Sequence, residues 1–264
     1  MDFERRFGGL NRLYGAQALP RLAAAHACVV GIGGVGSWAA EALARCGVGQ
    51  ITLIDLDHIA ESNTNRQLHA LEGTYGCAKV QAMATRIQAI NPGCQVVPVD
   101  DFISADNIAR LLPATAFVID AIDDVPAKAA LIAHCREQGI PLVTTAAAGG
   151  RRDPTRIQVA DLARTEHDPL AARLRALLRK EHGFPRGAGH LFGVECVFST
   201  EPVIRPAATL AACDHDTAVD PSHEQLTRAP QGLNCAGYGS VVMVTASFGM
   251  TAAARAVERM IVAS

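Results

Sequence analysis

The stretch Ala27–Asp57 constrains the fold more than any other part of the chain. It reads as strand, glycine turn, helix, strand, acid. Cys28–Ile32 is an apolar run short enough for a buried parallel strand. Gly31, Gly33, Gly34 and Gly36 follow as G-I-G-G-V-G. Ser37 is placed to cap a helix with Trp38, Ala42 and Cys46 on its apolar face, and Gly47 to end it. Ile51–Ile54 is the next strand, and Asp55 stands at its end, 19 residues after Gly36. Glycines let a backbone turn tightly and approach a phosphate. The helix N-terminus supplies N–H groups and a positive dipole end, and an acid at this distance accepts hydrogen bonds from ribose hydroxyls. The glycines alone would be a weak motif, but this context is the one a nucleotide site requires.

Further elements alternate in the same way. After Asp55 come Asp57 and a polar loop, E-S-N-T-N-R-Q, carrying Asn63, Asn65 and Arg66. An arginine here can fork onto phosphate oxygens, and Asn63 can bond a sugar or phosphate oxygen; Ser62 and Asn63 also suit a capping turn. A helix opens at Gly76-Cys-Ala-Lys79, with Val80, Met83, Ala84, Ile87 and Ile90 at helical spacing. Lys79 in its first turn opposes the helix dipole, a local conflict that suits a lysine reaching a polyphosphate, although a solvated lysine is the plainer reading. Gln95–Val99 and Ala116–Ile119 read as strands, with a helix from Ser104–Asn107 through Leu112 between them. Asp120-Ala-Ile-Asp-Asp124 follows, at the strand end where ligands of a doubly wound sheet bind. Asp123 and Asp124 are candidate magnesium ligands, and Asp124 is also a candidate helix cap. Leu142–Ala146 is a further strand, after which Ala148-Gly-Gly-Arg-Arg-Asp-Pro154 ends the alternation. The expected fold is therefore α/β, a Rossmann-like, mainly parallel sheet with helices on both faces. Residues 1–150 form the nucleotide half behind an N-terminal helical leader, and residues 151–264 a C-terminal, substrate-side extension.

That extension begins with a helix from Asp168-Pro169 to about His182, with Leu170, Leu174, Leu177 and Leu178 on one face. Arg173, Arg175, Arg179 and Lys180 lie on the opposite arc, flanked by Arg164 and Arg186, either a solvated surface or a phosphate-backbone contact. Val194–Phe198 is a strand, Ala207–Gln231 an irregular polar loop, and Gly239–Ile261 a buried helix. Ala229–Ala254 lacks charge and is long enough to span a bilayer. Its Pro, Gln, Asn, Gly, Ser and Thr favour a core helix instead. A net charge of −2 predicts no global attraction to nucleic acid, so any RNA contact must be local and no DNA partner is expected. The eight cysteines form no C-x-x-C pair, so the sequence carries no zinc-ribbon signature, and no signal peptide is visible; a reducing cytoplasmic setting is expected.

The glycine turn, Asp55, N-T-N-R-Q with Arg66, Lys79 and D-A-I-D with Asp123 occur in the order and spacing of ubiquitin-activating-enzyme-like, ThiF/MoeB-like adenylyltransferases, and the chain resembles that superfamily. The resemblance implies one ThiF-type domain and attack of a carboxylate on the α-phosphate of ATP. Under it the glycine turn cradles the phosphates and Asp55 holds the ribose, with Asp57 and Asn63 as further nucleotide-binding candidates. Arg66 and Lys79 stabilise charge on the triphosphate, and Asp123 helps hold Mg2+. The five features together displace a nicotinamide oxidoreductase, which the glycines alone would suggest. Within the superfamily, the stretches RFGGLNRLYG, VIDAID, KAALIAHCR, DPLAARLR and CVFSTE are most similar to the tRNA threonylcarbamoyladenosine dehydratase branch. That likeness implies adenylation and cyclisation of the threonylcarbamoyl group at position 37 of tRNA, and a homodimer. Relatives carry an arginine in the leader that reaches the partner's ATP. Gly9 stands at that position, so the role either falls to Arg12 or Arg6 or is absent. The likeness also brings in a monovalent cation as a candidate cofactor and a cysteine-desulfurase and sulfur-acceptor system as a candidate partner. The alternatives are activation of the C-terminus of a ubiquitin-like sulfur carrier, with Cys196 or Cys235 as transfer cysteine, and a nucleotide-sensing module without turnover.

Overall fold

The computed structural model describes residues 2–113, 117–187, 189–204 and 238–262. The expected irregular loop Ala207–Gln231, Cys213 and Cys235 lie outside these residues. Three short helices, α1 (Phe3–Phe7), α2 (Gly9–Tyr14) and α3 (Ala18–Ala24), lead into β1 (His26–Val30). There follow α4 (Gly36–Arg45), β2 (Gln50–Ile54), α5 (Lys79–Ile90), β3 (Gln95–Val99), α6 (Ile108–Leu111) and β4 (Phe117–Asp120). Then come α7 (Val125–Gln138), β5 (Leu142–Thr145), β6 (Ile157–Asp161), α8 (Pro169–Glu181), β7 (Glu195–Ser199) and α9 (Val242–Val262). One seven-stranded sheet, in the order β3-β2-β1-β4-β5-β7-β6, runs through the molecule. Every neighbouring pair is parallel except the edge strand β6, which is antiparallel to β7.

Strand side chains alternate between two covered faces, so the central strands are apolar at nearly every position. Ala27 and Val29 of β1 pack with α4, α5 and α9, and Cys28 and Val30 with α6 and α7. Cys196 and Phe198 of β7 close a third cluster with α7 and α8. Residues 151–262 thus add two strands to the same sheet. Their last helix, α9, packs against α4 so closely that a Cβ at Gly249 would collide with the Val35 carbonyl. Among the described residues, no helix is long and apolar enough to cross a membrane.

Several local expectations are corrected. β1 spans His26–Val30 rather than Cys28–Ile32, because Gly31 turns the chain out of the sheet at φ +87°. In α4 the buried arc is Ala39, Ala40, Leu43 and Ala44, and Trp38, Ala42 and Cys46 are half-buried. An alanine-rich helix is apolar on both arcs, so spacing alone does not choose between them. Ser37 lies inside this helix and accepts the Leu68 N–H at 3.3 Å instead of capping. The helix expected from Gly76 begins at Lys79, because His58 and Ala78 pair in an antiparallel bridge just before it. The caps at Asp124 and Asp168 do form, accepting from the N–H groups of Ala127 (2.9 Å) and Ala171 (2.8 Å).

The C-terminal part is tied down by Arg151, whose side chain is fully buried. Its guanidinium donates to Asp168 Oδ2 (2.7 Å) and to the carbonyls of Ala147 (3.0 Å), Ser199 (3.0 Å), His167 (3.2 Å) and Glu201. It therefore joins the ends of β5 and β7 to the start of α8. Removing one partner of such a pair leaves a buried charge uncompensated, and Arg151→Met is expected to destabilise the fold by about 3–5 kcal/mol. Urea denaturation of the two proteins measures this directly.

Candidate active site

In an open α/β sheet a ligand crevice forms where the strand order reverses, at the carboxyl ends of the strands. Here the chain runs outward from β1 to β2 and β3 on one side and to β4 on the other. A cavity of about 430 Å3 opens at that point. Gly31, Gly33 and Gly34 line it, with Asp55, Asp57, Arg66, Gln67, Lys79 and Asp123. Phe102 and Leu56 stand on its wall, and Tyr238, Ser240 and Thr245 contribute from the C-terminal segment.

The glycines divide by task. Gly31 needs its left-handed conformation, and a Cβ on it would lie 2.8 Å from the Ala121 carbonyl oxygen. Gly36 does not line the cavity; a Cβ there would overlap the Gly31 carbonyl. Gly33 and Gly34 face the cavity just before α4, where the Ser37 N–H bonds the Gly33 carbonyl and the Ala39 N–H the Val35 carbonyl (3.1 Å each), and the positive end of the helix dipole lies beside them. Asp55 accepts the N–H groups of Ile32 (2.5 Å) and Asp57 (2.8 Å). Burial raises its carboxyl pKa, opposed by the charge of Lys79 and by these two N–H bonds.

Two cations reach the cavity from different segments. Lys79 is buried in the first turn of α5 with its ammonium 2.6 Å from Asp57. The Arg66 guanidinium donates to the Ser62 carbonyl (2.8 Å) and Asn65 Oδ1 (2.9 Å), and its methylenes lie over Gly34. Partial burial pulls its pKa down, but a guanidinium remains charged. Asn65 Nδ2 donates to the Ser240 carbonyl (2.8 Å), joining this loop to the C-terminal wall.

Other expected residues lie elsewhere. Asn63 is buried in a 3₁₀ turn with its Oδ1 accepting the Ala60 N–H (3.1 Å), and it does not line the cavity. Its short polar side chain closes the turn that carries Arg66. Arg12 is exposed on α2 and does not line the cavity, and Arg6 donates to the Ile90 carbonyl (2.8 Å). In the basic cluster, Arg175 bonds the Thr165 carbonyl (2.9 Å), and Arg179 bonds the Pro185 carbonyl (3.2 Å) and stacks on Phe192. Arg164, Arg173, Lys180 and Arg186 are exposed. Among the described residues no three His, Cys, Asp or Glu are placed to hold a metal ion. Cys196 is buried in β7 with its thiol pKa pushed far up by burial, so it is inert as a nucleophile.

Sequence reasoning missed the buried pair Asp120–Lys128 (2.9 Å), which holds the turn ahead of Asp123, because Lys128 reads as an ordinary helix residue. It also missed Gln67 and His69. Gln67 stands inside the N-T-N-R-Q motif, and that position was its only signal.

A model of the ThiF family matches residues 8–261. The chain belongs to the ThiF family. Among its relatives, the tRNA threonylcarbamoyladenosine dehydratase of Escherichia coli (strain K12) is 51% identical over 260 residues, 98% of this chain and 94% of that protein. A crystal structure of the E. coli dehydratase in complex with ATP superposes with a TM-score of 0.84 at 50% identity, covering 97% of this chain and 94% of that one. A more distant family member, the molybdopterin-synthase adenylyltransferase of Salmonella typhimurium, is 36% identical over only 47% of this chain and 49% of its own length.

His69 makes the site's fold pH-sensitive. Burial, with a contribution from the Lys79 charge, draws its imidazole pKa from 6.5 to about 4 against the pull of its bond to the Ile32 carbonyl. Between these values the unfolded chain binds a proton that the fold refuses. Stability from this residue is therefore full above about pH 6.5 and falls as pH drops toward 4, by roughly 3 kcal/mol. Urea titrations across that range are expected to show the loss, and His69→Phe to flatten it.

Proposed function

We propose that this protein is an ATP-dependent dehydratase of N6-threonylcarbamoyladenosine at position 37 of tRNA, working through an adenylated carboxylate. The observation that carries the reading is the near full-length similarity to the dehydratases, joined to a cavity that suits a nucleoside triphosphate. Two glycines without side chains border the start of a helix, and two cations converge on the same space. Such a cradle fits a polyphosphate. Asp55 receives the ribose hydroxyls. Leu56 and Phe102, half-exposed on the wall beyond it, offer an apolar surface to the base.

The chemistry follows from the charges. An oxygen of the threonyl carboxylate attacks the α-phosphorus, and the bond to pyrophosphate breaks. Arg66 and Lys79 offset the charge that builds on the phosphate oxygens. A nucleophile within the threonylcarbamoyl group then attacks the activated carbonyl carbon. AMP leaves with one carboxylate oxygen, and the nucleophile's proton passes to solvent. The net change in the nucleoside is the loss of one water. Mg2+ would neutralise phosphate charge, held by Asp123 together with the phosphates themselves, as magnesium sites with few protein ligands are.

The assignment extends to a second copy of the chain. Arg12 is exposed and outside its own cavity, which suits an arginine offered across a homodimer. Arg164, Arg173, Lys180 and Arg186 are the basic groups offered to the tRNA backbone, where phosphate contacts position without specifying sequence. A sulfur-acceptor system as partner and a bound monovalent cation belong to the same proposal.

Incubation with ATP, Mg2+ and threonylcarbamoylated tRNA, followed by nucleoside mass analysis, tests it. The modified adenosine is expected to lose one water in an ATP-dependent way. Lys79→Ala and Arg66→Ala are each expected to slow this by about a hundredfold or more. No mass change, with pyrophosphate released only when a ubiquitin-like sulfur carrier is added, would overturn it. For the RNA surface, Arg173→Glu with Lys180→Glu is expected to weaken tRNA binding and flatten its salt dependence, measured by filter binding, with ATP affinity unchanged.

A further inference from the structure

The glycine loop turns on Ile32, which stands between Gly31 and Gly33. Its side chain is fully buried, and both its backbone polar groups are held by side chains from other segments. Its N–H donates to Asp55 Oδ2 (2.5 Å), and its carbonyl accepts from His69 Nε2 (2.8 Å). A ring nitrogen that bonds a carbonyl oxygen must carry the hydrogen. His69 is therefore in the Nε2–H form, and its buried Nδ1 has no partner among the described residues.

The segment that carries His69 is fastened to α4. Trp38 Nε1 donates to the Arg66 carbonyl (3.0 Å), and the Leu68 N–H bonds Ser37 Oγ. The Thr74 hydroxyl donates to the carbonyl of His69 itself (2.6 Å). His69, 2% exposed, is thus a fixed point beneath the glycine loop.

The Ile32 carbonyl and the Gly33 N–H belong to one planar trans peptide, so they point in opposite directions. A hydrogen bond that draws the carbonyl toward buried His69 turns the Gly33 N–H away from it. Gly33 lines the cavity. We infer that His69 is a positioning residue of the nucleotide site: by holding the Ile32 carbonyl, it aims the Gly33 N–H at an anionic oxygen of the bound phosphates. The inference rests on the reading of the cavity as a triphosphate site. It adds a donor and the residue that orients it. Asp55 does the matching task on the other side of Ile32, so the loop is held from both ends of one residue.

The test uses the full chain, with ATP and Mg2+ as the probe. Calorimetric ATP affinity is compared for the wild type, His69→Phe, which fills the space without a donor, and His69→Gln, which restores an N–H donor. His69→Phe is expected to weaken ATP binding at least tenfold, and His69→Gln to stay within threefold of the wild type. In the ¹⁵N-labelled wild type, the Gly33 amide resonance is expected to move downfield on ATP addition, and in His69→Phe to stay in place. A purely structural histidine would lower the melting temperature and leave affinity and the Gly33 shift alone. If the wild type binds ATP and His69→Phe binds it equally, the inference fails. If His69→Phe does not fold, a wild-type Gly33 resonance that ignores ATP overturns it just as firmly. A wild type that binds no ATP would instead refute the nucleotide reading.

Discussion

Two full charges sit out of reach of water at the end of β4, and the shape of the active-site edge depends on them. Asp120 and Lys128 are completely buried, 2.9 Å apart. Desolvating such a pair costs several kcal/mol per ion, which only excellent geometry and further hydrogen bonds can offset. Those bonds are present. Thr144 donates to Asp120 Oδ2 at 2.6 Å, and the Ile122 N–H reaches Oδ1 at 3.2 Å. Lys128 also donates to the carbonyls of Ile122 (2.9 Å) and Asp120 (3.3 Å). The network therefore grips the Ala121–Ile122 turn from within. Gly31 packs against the Ala121 carbonyl, so this turn sets the floor of the glycine loop, and Asp123 follows it into the cavity. One buried pair in this way sets two of the segments that meet at the switch point.

Parts of this architecture could be read from the residues, and the reason is local in each case. Gln95–Val99 needs no partner to identify it, because its ends are marked by Pro92-Gly93 and Asp100-Asp101. The caps at Asp124 and Asp168 are likewise short-range, each an acid with proline nearby at the helix start. Asp55 and Asp123 follow the ends of β2 and β4, Lys79 opens α5 and Arg66 comes from the loop between β2 and α5, so all four meet at the sheet edge that the α/β alternation sets. What could not be read depends on pairing across long separations. Arg151 meets Ser199 and Asp168, and nothing in R-R-D-P announces that one arginine points inward and the other outward. The covered face of α4 is also set at a distance, by packing on the sheet, on α5 and on α9, about 200 residues later. Asn63 shows the converse error, a polar residue in the right loop whose side chain serves its own turn.

Lys79 shows how a local conflict becomes useful. A cation in the first turn of a helix is disfavoured by the dipole, and burial makes it more so. The compensating charge is Asp57, only 2.6 Å away, yet Asp57 is 74% exposed. A well-solvated carboxylate binds an ammonium weakly in net terms, because water competes for it throughout. The pair is thus strong enough to hold the lysine at the cavity without locking it, because its acid partner stays in water. Had Asp57 been buried as deeply as Asp120, Lys79 would be locked like Lys128 and unavailable to a ligand. The same ion-pair chemistry at two depths therefore separates a lysine that shapes the site from one that can act in it.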